Sequence, residues 1–146
     1  MTLTLSEFFD RYGTDTTNSI QLYHIAKQLK IPNFYYAMRD EVSSLPKDKK
    51  PLNVMTNIHT SEQPGVHHNC FHISDKGNFF FDSYGLNPTR EVVEFMGRGV
   101  GSSFKIQQDD TRYCGQMSMY VLYRLNLTND KFENIILDLK KNIEHI

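Results

Sequence analysis

The segment CGQMSMYVLYRL, residues 114–125, limits this chain more than any other stretch. It is long enough for a helix and apolar on nearly every side. Such a helix must be buried within a domain, because no face of it suits water. It is too short to cross a membrane, which takes ~18 or more apolar residues. The polar run QQDDTRY ends abruptly against it, at Cys114–Gly115. A cysteine at that junction has two readings. It can be a small buried hydrophobe, as free cysteine commonly is. Or it can be a nucleophile. A helix N-terminus lowers a thiol's pKa and raises its thiolate fraction. Gly115 would allow close backbone approach and leave N–H groups open to hold an oxyanion.

The remaining chain supplies partners for such a helix. Its 146 residues fit one domain, 1–146, with 39% hydrophobic and 23% charged residues. A net charge of -1 gives no argument for nucleic-acid or membrane binding. The opening MTLTLSEFFDRYG lacks a basic region and an unbroken apolar stretch, so no signal peptide is expected. Two cysteines make a poor disulfide framework and suggest a reducing compartment. Ser6 is expected to cap a helix through Phe8, Phe9 and Tyr12 that stops at Gly13. SIQLYHIAKQLK predicts a second helix with Ile20, Tyr23, Ala26 and Leu29 on its stripe. SSLPKDKKP reads as a charged surface loop. LNVMTNI then reads as a half-buried strand, carried by Leu52, Val54, Met55 and Ile58. HHNCFHIS and NFFFDSYG flank DKGN, a hairpin turn. Asn87–Pro88 is expected to open the helix PTREVVEFMG. SSFKIQ predicts a short strand, and NDKFENIILDLKKNI an amphipathic helix with Phe132, Ile135, Ile136 and Leu139 inward. The order of these elements gives an α+β fold.

A thiolate nucleophile needs a histidine, oriented in turn by a third group. GVHHNCFHIS offers His67, His68 and His72, and Asp82 ends the strand paired with it. A two-residue turn at Lys76–Gly77 would set Asp82 opposite Phe71, with His67 on its face and His68 on the other. A three-residue loop would reverse that assignment. His68, Cys70 and His72 could instead share a strand face and bind zinc with His59 or His24, giving a metal-stabilised interaction module.

Taken together, GVHHNCFH, NFFFDSYG and IQQDDTRYCGQMSMYVLYRL resemble the adenovirus-type (adenain-like) cysteine proteases. The likeness is greatest to the branch in virophages, large DNA viruses and virus-like transposons, and more distant to the ubiquitin-like-protein proteases. The shared pattern is Gly65–Val66–His67, Phe81–Asp82–Ser83–Tyr84–Gly85, Gln107, Asp110–Thr111 and Cys114–Gly115. LKIPNFYYAMRDEV resembles the family's upstream segment. The resemblance implies a papain-like α+β fold, a small mixed sheet with the catalytic helix on one face. It implies His67 as general base, Asp82 as its orienting carboxylate, Cys114 as nucleophile and Gln107 as oxyanion donor. Gln108 is the alternative donor, by analogy with the ubiquitin-like branch. No cofactor or metal is implied. The implied function is maturation of capsid precursor proteins in the infected host cytoplasm and the virion; the alternative is a ubiquitin- or SUMO-type isopeptidase. The chain departs from the pattern at His68, where the family usually has Trp, and at Ser118, where a second Cys is common.

Overall fold

The computed structural model describes residues 2–102 and 104–145. The elements run α1 (Leu5–Tyr12), α2 (Ser19–Gln28), β1 (Phe34–Met38), a 3-10 turn (Arg39–Ser44), β2 (Leu52–Asn57), β3 (His68–Ser74) and β4 (Gly77–Phe81). They continue with α3 (Arg90–Met96), β5 (Val100–Gly101), α4 (Cys114–Leu127), α5 (Phe132–Asn142) and a closing 3-10 turn (Ile143–His145). The strands form one five-stranded sheet in the order β1-β2-β3-β4-β5. β2, β3 and β4 are antiparallel, while β1 joins β2 and β5 joins β4 in parallel. The fold is therefore α+β with a mixed sheet.

Alternation along the strands sends apolar residues to both faces. Val54, Phe71 and Phe80 point to one side, where they meet Val42 of the 3-10 turn and Val92 and Met96 of α3. Met55, Cys70 and Phe81 point to the other, against α4 and the helices around it. The expectation of a half-buried β2 is thus corrected, since every one of its residues is buried. The reason is β1, which the alternation test did not pick out. It pairs along β2's outer edge and makes β2 an interior strand with both faces covered.

The all-round apolar helix is α4, and its residues from Gly115 to Leu125 are all buried. It lies across β3 and β2, between α1, α2 and α5. Met117, Met119, Val121 and Leu122 have no exposed surface, and each such burial contributes ~1.5–3 kcal/mol. Its one charge, Arg124, is paired. Its guanidinium donates to Asp130 (2.8 Å), Asp138 (2.6 Å) and the Tyr120 hydroxyl (3.1 Å), which ties α5 to α4. In α5, Phe132, Ile135, Ile136 and Leu139 face inward as the sequence predicts.

Several local expectations are corrected. α1 is capped by Thr4, not Ser6, because Thr4 and Glu7 form a reciprocal capping box. α2 buries Leu22, Ile25 and Ala26, with Leu29 just beyond it, while Ile20 and Tyr23 are exposed. Tyr23 faces outward because its hydroxyl accepts the Tyr36 N–H (3.0 Å) and its ring packs edge-on against Phe34. α3 starts after Thr89 rather than at Asn87–Pro88, since the Thr89 hydroxyl takes the Val92 N–H. The strand expected over SSFKIQ is not formed by the described residues of that stretch, one of which lies outside them, and a short strand lies at Val100–Gly101 instead. Ile106 and Gln107 both turn their N–H groups onto one carbonyl, that of Ser83 (2.8 Å each), which a ladder would not do.

Candidate active site

The β3–β4 hairpin sets the geometry. Ser74 pairs with Gly77, so the turn residues are Asp75–Lys76, with the Ser74 hydroxyl accepting the Lys76 N–H (3.2 Å). The expected turn at Lys76–Gly77 is thus one residue too late. Cys70 pairs with Phe81, which sets Asp82 beside Asn69 rather than Phe71. This change keeps the parity of the strand faces, so His67 still shares Asp82's side. It also brings His67 closer along the ladder.

Asp82 is wholly buried, and each of its oxygens is bonded. Oδ2 accepts from His67 Nε2 (2.8 Å) and Asn69 Nδ2 (3.1 Å). Oδ1 accepts the N–H groups of Tyr84 (2.8 Å) and Leu86 (3.4 Å). Tyr84 also packs its ring against His67, with centroids 4.9 Å apart. Gly85 closes the turn with φ +73°, and a Cβ there would sit 2.8 Å from the Phe104 carbonyl carbon. Each residue of Asp–Ser–Tyr–Gly therefore has its own physical task, with Ser83 anchoring the segment that leads to α4.

With Nε2 bonded to Asp82, the other ring nitrogen of His67, Nδ1, is the one left for Cys114. Cys114 is half-buried at the first position of α4. Its sulfur accepts the His68 N–H (3.4 Å), and the His67 and His68 side chains both act on its ionisation. Burial alone would raise the thiol's pKa. The two histidines beside it, with the His67 charge, override this and bring the thiol down to about 6. Burial likewise opposes charge on His67, but Asp82 and then the Cys114 sulfur raise it to about 9. Both directions favour a thiolate–imidazolium pair. Cys70 differs on every count. It is fully buried, donates to the Ser118 carbonyl (3.4 Å), and burial with the nearby Asp82 charge pushes its thiol far up.

The end of α4 is open. α1, α2 and α3 each have a side-chain cap, whereas α4 has none. Among the described residues, nothing accepts from the N–H groups of Cys114, Gly115 or Gln116. These donors and the positive end of the macrodipole lie at the turn that carries the sulfur. Gly115 is needed there because a Cβ would overlap the Thr17 hydroxyl, and it would also touch His68 Nδ1. The Thr17 loop is held against this turn by Gln116, whose amide donates to the Asp15 carbonyl (2.7 Å). A cleft of about 680 Å³ opens over Cys114, His67, His68, Tyr36, Asn57 and Arg112.

Gln107 is buried and Gln108 exposed. The Gln107 carbonyl accepts from the Ser83 hydroxyl (2.6 Å), and its amide donates to the Thr111 carbonyl (3.0 Å). Thr111 lines the cleft, whereas Gln107 itself does not. One amide proton of Gln107 is left over after these bonds.

The zinc reading finds its three residues on one strand face but engaged elsewhere. His68 bonds Tyr36 (2.9 Å) and Cys70 bonds Ser118. His72 bonds Asn53 (2.7 Å) and Ser74 (2.9 Å). Burial, with Lys76 nearby, lowers His72 to about 4. His59 takes the Gly65 N–H on Nδ1 (3.1 Å). Among the described residues, no three His, Cys, Asp or Glu side chains converge to hold a metal ion.

Sequence reasoning missed Asn69, Tyr36 and Thr17. Asn69 was accessible through the hairpin register once the turn was placed one residue earlier. Thr17 left no signal, because its role comes from packing against a glycine far along the chain.

Asp82→Asn provides a direct test of the carboxylate. Asp82 accepts four N–H bonds, and an amide in its place would turn a donor toward two of those four groups. Either orientation disturbs His67 or the 84–86 turn. Cleavage of any peptide substrate is expected to fall ~10²–10⁴-fold with the protein still folded, measured as kcat/KM beside a melting curve. An unaltered rate would remove Asp82 from the chemistry. No protein-family model matches the chain and no curated protein matches it significantly, so the reading of this site rests on its geometry and its motifs.

Proposed function

We propose that this chain is a cysteine endopeptidase with an adenain-type, papain-like fold, acting as a viral maturation protease on capsid precursor proteins. The observation that carries the chemistry is the line from a buried carboxylate through an imidazole to a thiol at an uncapped helix end, opening into a cleft. Buried cysteines that only pack do not have this arrangement; Cys70 in the same chain illustrates the difference.

In the proposed reaction the Cys114 thiolate attacks the scissile carbonyl carbon, and the C=O electron pair moves onto oxygen. The Cys114 N–H holds that oxyanion. Gln107 assists with its remaining amide proton, or acts by fixing the Thr111 segment beside it. The oxyanion collapses, the C–N bond breaks and His67 protonates the leaving amine. His67 then deprotonates a water, which attacks the thioester and releases the acid and the thiolate. Capsid precursors as substrate, and the host cytoplasm and virion as location, come from the motif resemblance.

The function is tested by offering the purified protein short peptides from the precursor junctions of the cognate capsid proteins, beside ubiquitin- and SUMO-fluorophore substrates. Peptide binding needs only an extended chain along the cleft. An isopeptidase must grip a folded partner, typically over ~800 Å² per side. Cleavage of the capsid peptides with the fluorophore substrates left intact is expected. The reverse pattern would establish the isopeptidase reading instead.

The same site fixes a pH dependence. Below about 6 the thiol is protonated and no nucleophile exists. Above about 9 His67 has lost the proton that the leaving amine requires. A plot of kcat/KM against pH should be bell-shaped, rising through about 6 and falling through about 9. A rate still climbing through the alkaline range, as for an ordinary thiol, would contradict the ion pair.

A further inference from the structure

His68 has no part in the proton transfers above, yet its ring lies beside the first turn of the helix that carries the nucleophile. It is buried, with 7% exposure. Its Nε2 lies 2.9 Å from the Tyr36 hydroxyl, and the rings meet edge-on with centroids 5.5 Å apart. Its Nδ1 faces the first turn of α4, lying 3.4 Å from the position a Cβ on Gly115 would take. Its backbone N–H donates to the Cys114 sulfur (3.4 Å), which sets the ring beside that sulfur, and its side chain helps to hold the thiol's pKa down.

The bonding around Tyr36 decides where the ring proton sits. The Tyr36 hydroxyl has two acceptors within reach, Met38 Sδ (3.8 Å) and His68 Nε2 (2.9 Å). Burial raises the Tyr36 phenol; Asn57 opposes this, while Glu41 and Cys114 add to it, so the hydroxyl keeps its proton. The imidazole nitrogen is the nearer and stronger acceptor of the two, so that proton goes to His68 Nε2. The remaining ring nitrogen, Nδ1, then carries the imidazole N–H.

We propose that His68 is a second donor to the Cys114 thiolate: Tyr36 holds His68 Nε2, and His68 Nδ1–H donates to the sulfur. This rests on Cys114 being the nucleophile. The nucleophile is then held by two imidazoles with separate tasks. His67, backed by Asp82, moves protons. His68, backed by a phenol, has no carboxylate to stabilise a transferred proton, and serves to keep the sulfur ionised. Such a donor raises the thiolate fraction at acid pH but makes the thiolate a slightly weaker nucleophile. Its benefit is therefore confined to the acid side of the profile.

The ionisable groups facing this pair are His67 beside it, Tyr36 on β1, Glu41 on the 3-10 turn, Cys114 on α4, Tyr84 beyond β4, and Arg112 before α4. Glu41 is committed to the Met38 N–H (2.8 Å), and Arg112 lies 3.6 Å from Asp15. Neither replaces the donor that His68 supplies.

The test reads the rate of iodoacetamide addition to Cys114 against pH, located by peptide mapping, in the whole chain. It compares the unmodified protein with His68→Phe, Tyr36→Phe and His68→Asn, with a melting curve for each. The unmodified thiol should titrate near about 6. His68→Phe should move that midpoint up by about one pH unit. Tyr36→Phe should move it the same way by less, because Nδ1–H is no longer enforced. His68→Asn, which keeps an N–H near the Nδ1 position, should return it most of the way. A side chain that only packs would change melting without changing the midpoint. If His68→Phe and Tyr36→Phe both fold and leave the midpoint in place, the second-donor role is overturned. If His68→Phe does not fold, Tyr36→Phe decides alone. A thiol titrating near the ordinary ~8.5 in the unmodified protein would instead remove the nucleophile reading, and this inference with it.

Discussion

Cys114→Ala should reduce peptide cleavage to background, a loss of ~10⁴-fold or more, while leaving the melting curve where it was. The two halves of this expectation have separate physical grounds. The loss is total because no other group can form the acyl intermediate. The only other thiol, Cys70, is sealed beneath the sheet and held protonated. The fold survives because Cys114 occupies the first, half-exposed position of α4, ahead of the residues that pack. Alanine is the best helix former, and the sulfur gives up only contacts to His67 and His68. Cys70→Ala is the control with the opposite outcome. It empties part of the core between β3 and α4 and should lower stability by ~1 kcal/mol or more with cleavage retained. Retained cleavage in Cys114→Ala would place the chemistry elsewhere altogether.

What could be read in advance follows from where each signal resides. The burial of α4 was legible because a helix apolar on all sides has only one environment available. The α5 stripe was legible because its period is unbroken. β1 was not, because Phe34–Met38 has apolar or aromatic residues at every position and so offers no alternation to detect. Its half-buried faces depend on Tyr23 and β2, which lie outside the segment. The α2 stripe was misread for a related reason. Ile20 and Tyr23 have the right spacing, but so do Leu22, Ile25 and Ala26, and only the position of α4 chooses between them.

The site divides in the same way. The hairpin could be argued from DKGN, and the parity of His67 with Asp82 follows from any two-residue turn there. The exact turn depends on the Ser74 hydroxyl, which favours Asp75–Lys76 by one bond. Gln107 against Gln108 depends on the Ser83 carbonyl and hydroxyl, which gather one of the two into the interior and leave the other outside. The tertiary contact of Thr17 with Gly115 fixes how closely the α1–α2 loop approaches the cleft, and no local pattern encodes it.

His67→Ala should lower kcat/KM by ~10³-fold or more, while His68→Ala should cost ~10-fold or less near neutral pH. Both rings flank the same sulfur, so proximity alone does not rank them. The carboxylate does. Only His67 is bonded to Asp82, and only that bond lets an imidazole gain a proton in a buried site and return it to the leaving amine. His68 is bonded to a phenol that keeps its own proton. Alanine at 67 also leaves Asp82 as a buried carboxylate without its charge partner, which should lower stability and confuse the measurement. His67→Gln separates the two effects. A glutamine can still donate an N–H toward Asp82 but offers no titratable base, so it should melt closer to the unmodified protein and be as inactive as the alanine variant. Thiol alkylation gives a further discrimination. Losing His67 removes the charge that helps hold the thiolate, so the sulfur's titration should move up in both 67 variants. If His68→Ala proves the dead variant and His67→Gln the active one, the two imidazoles exchange roles, and the His67–Asp82 bond becomes a structural tie between β4 and the entry to β3.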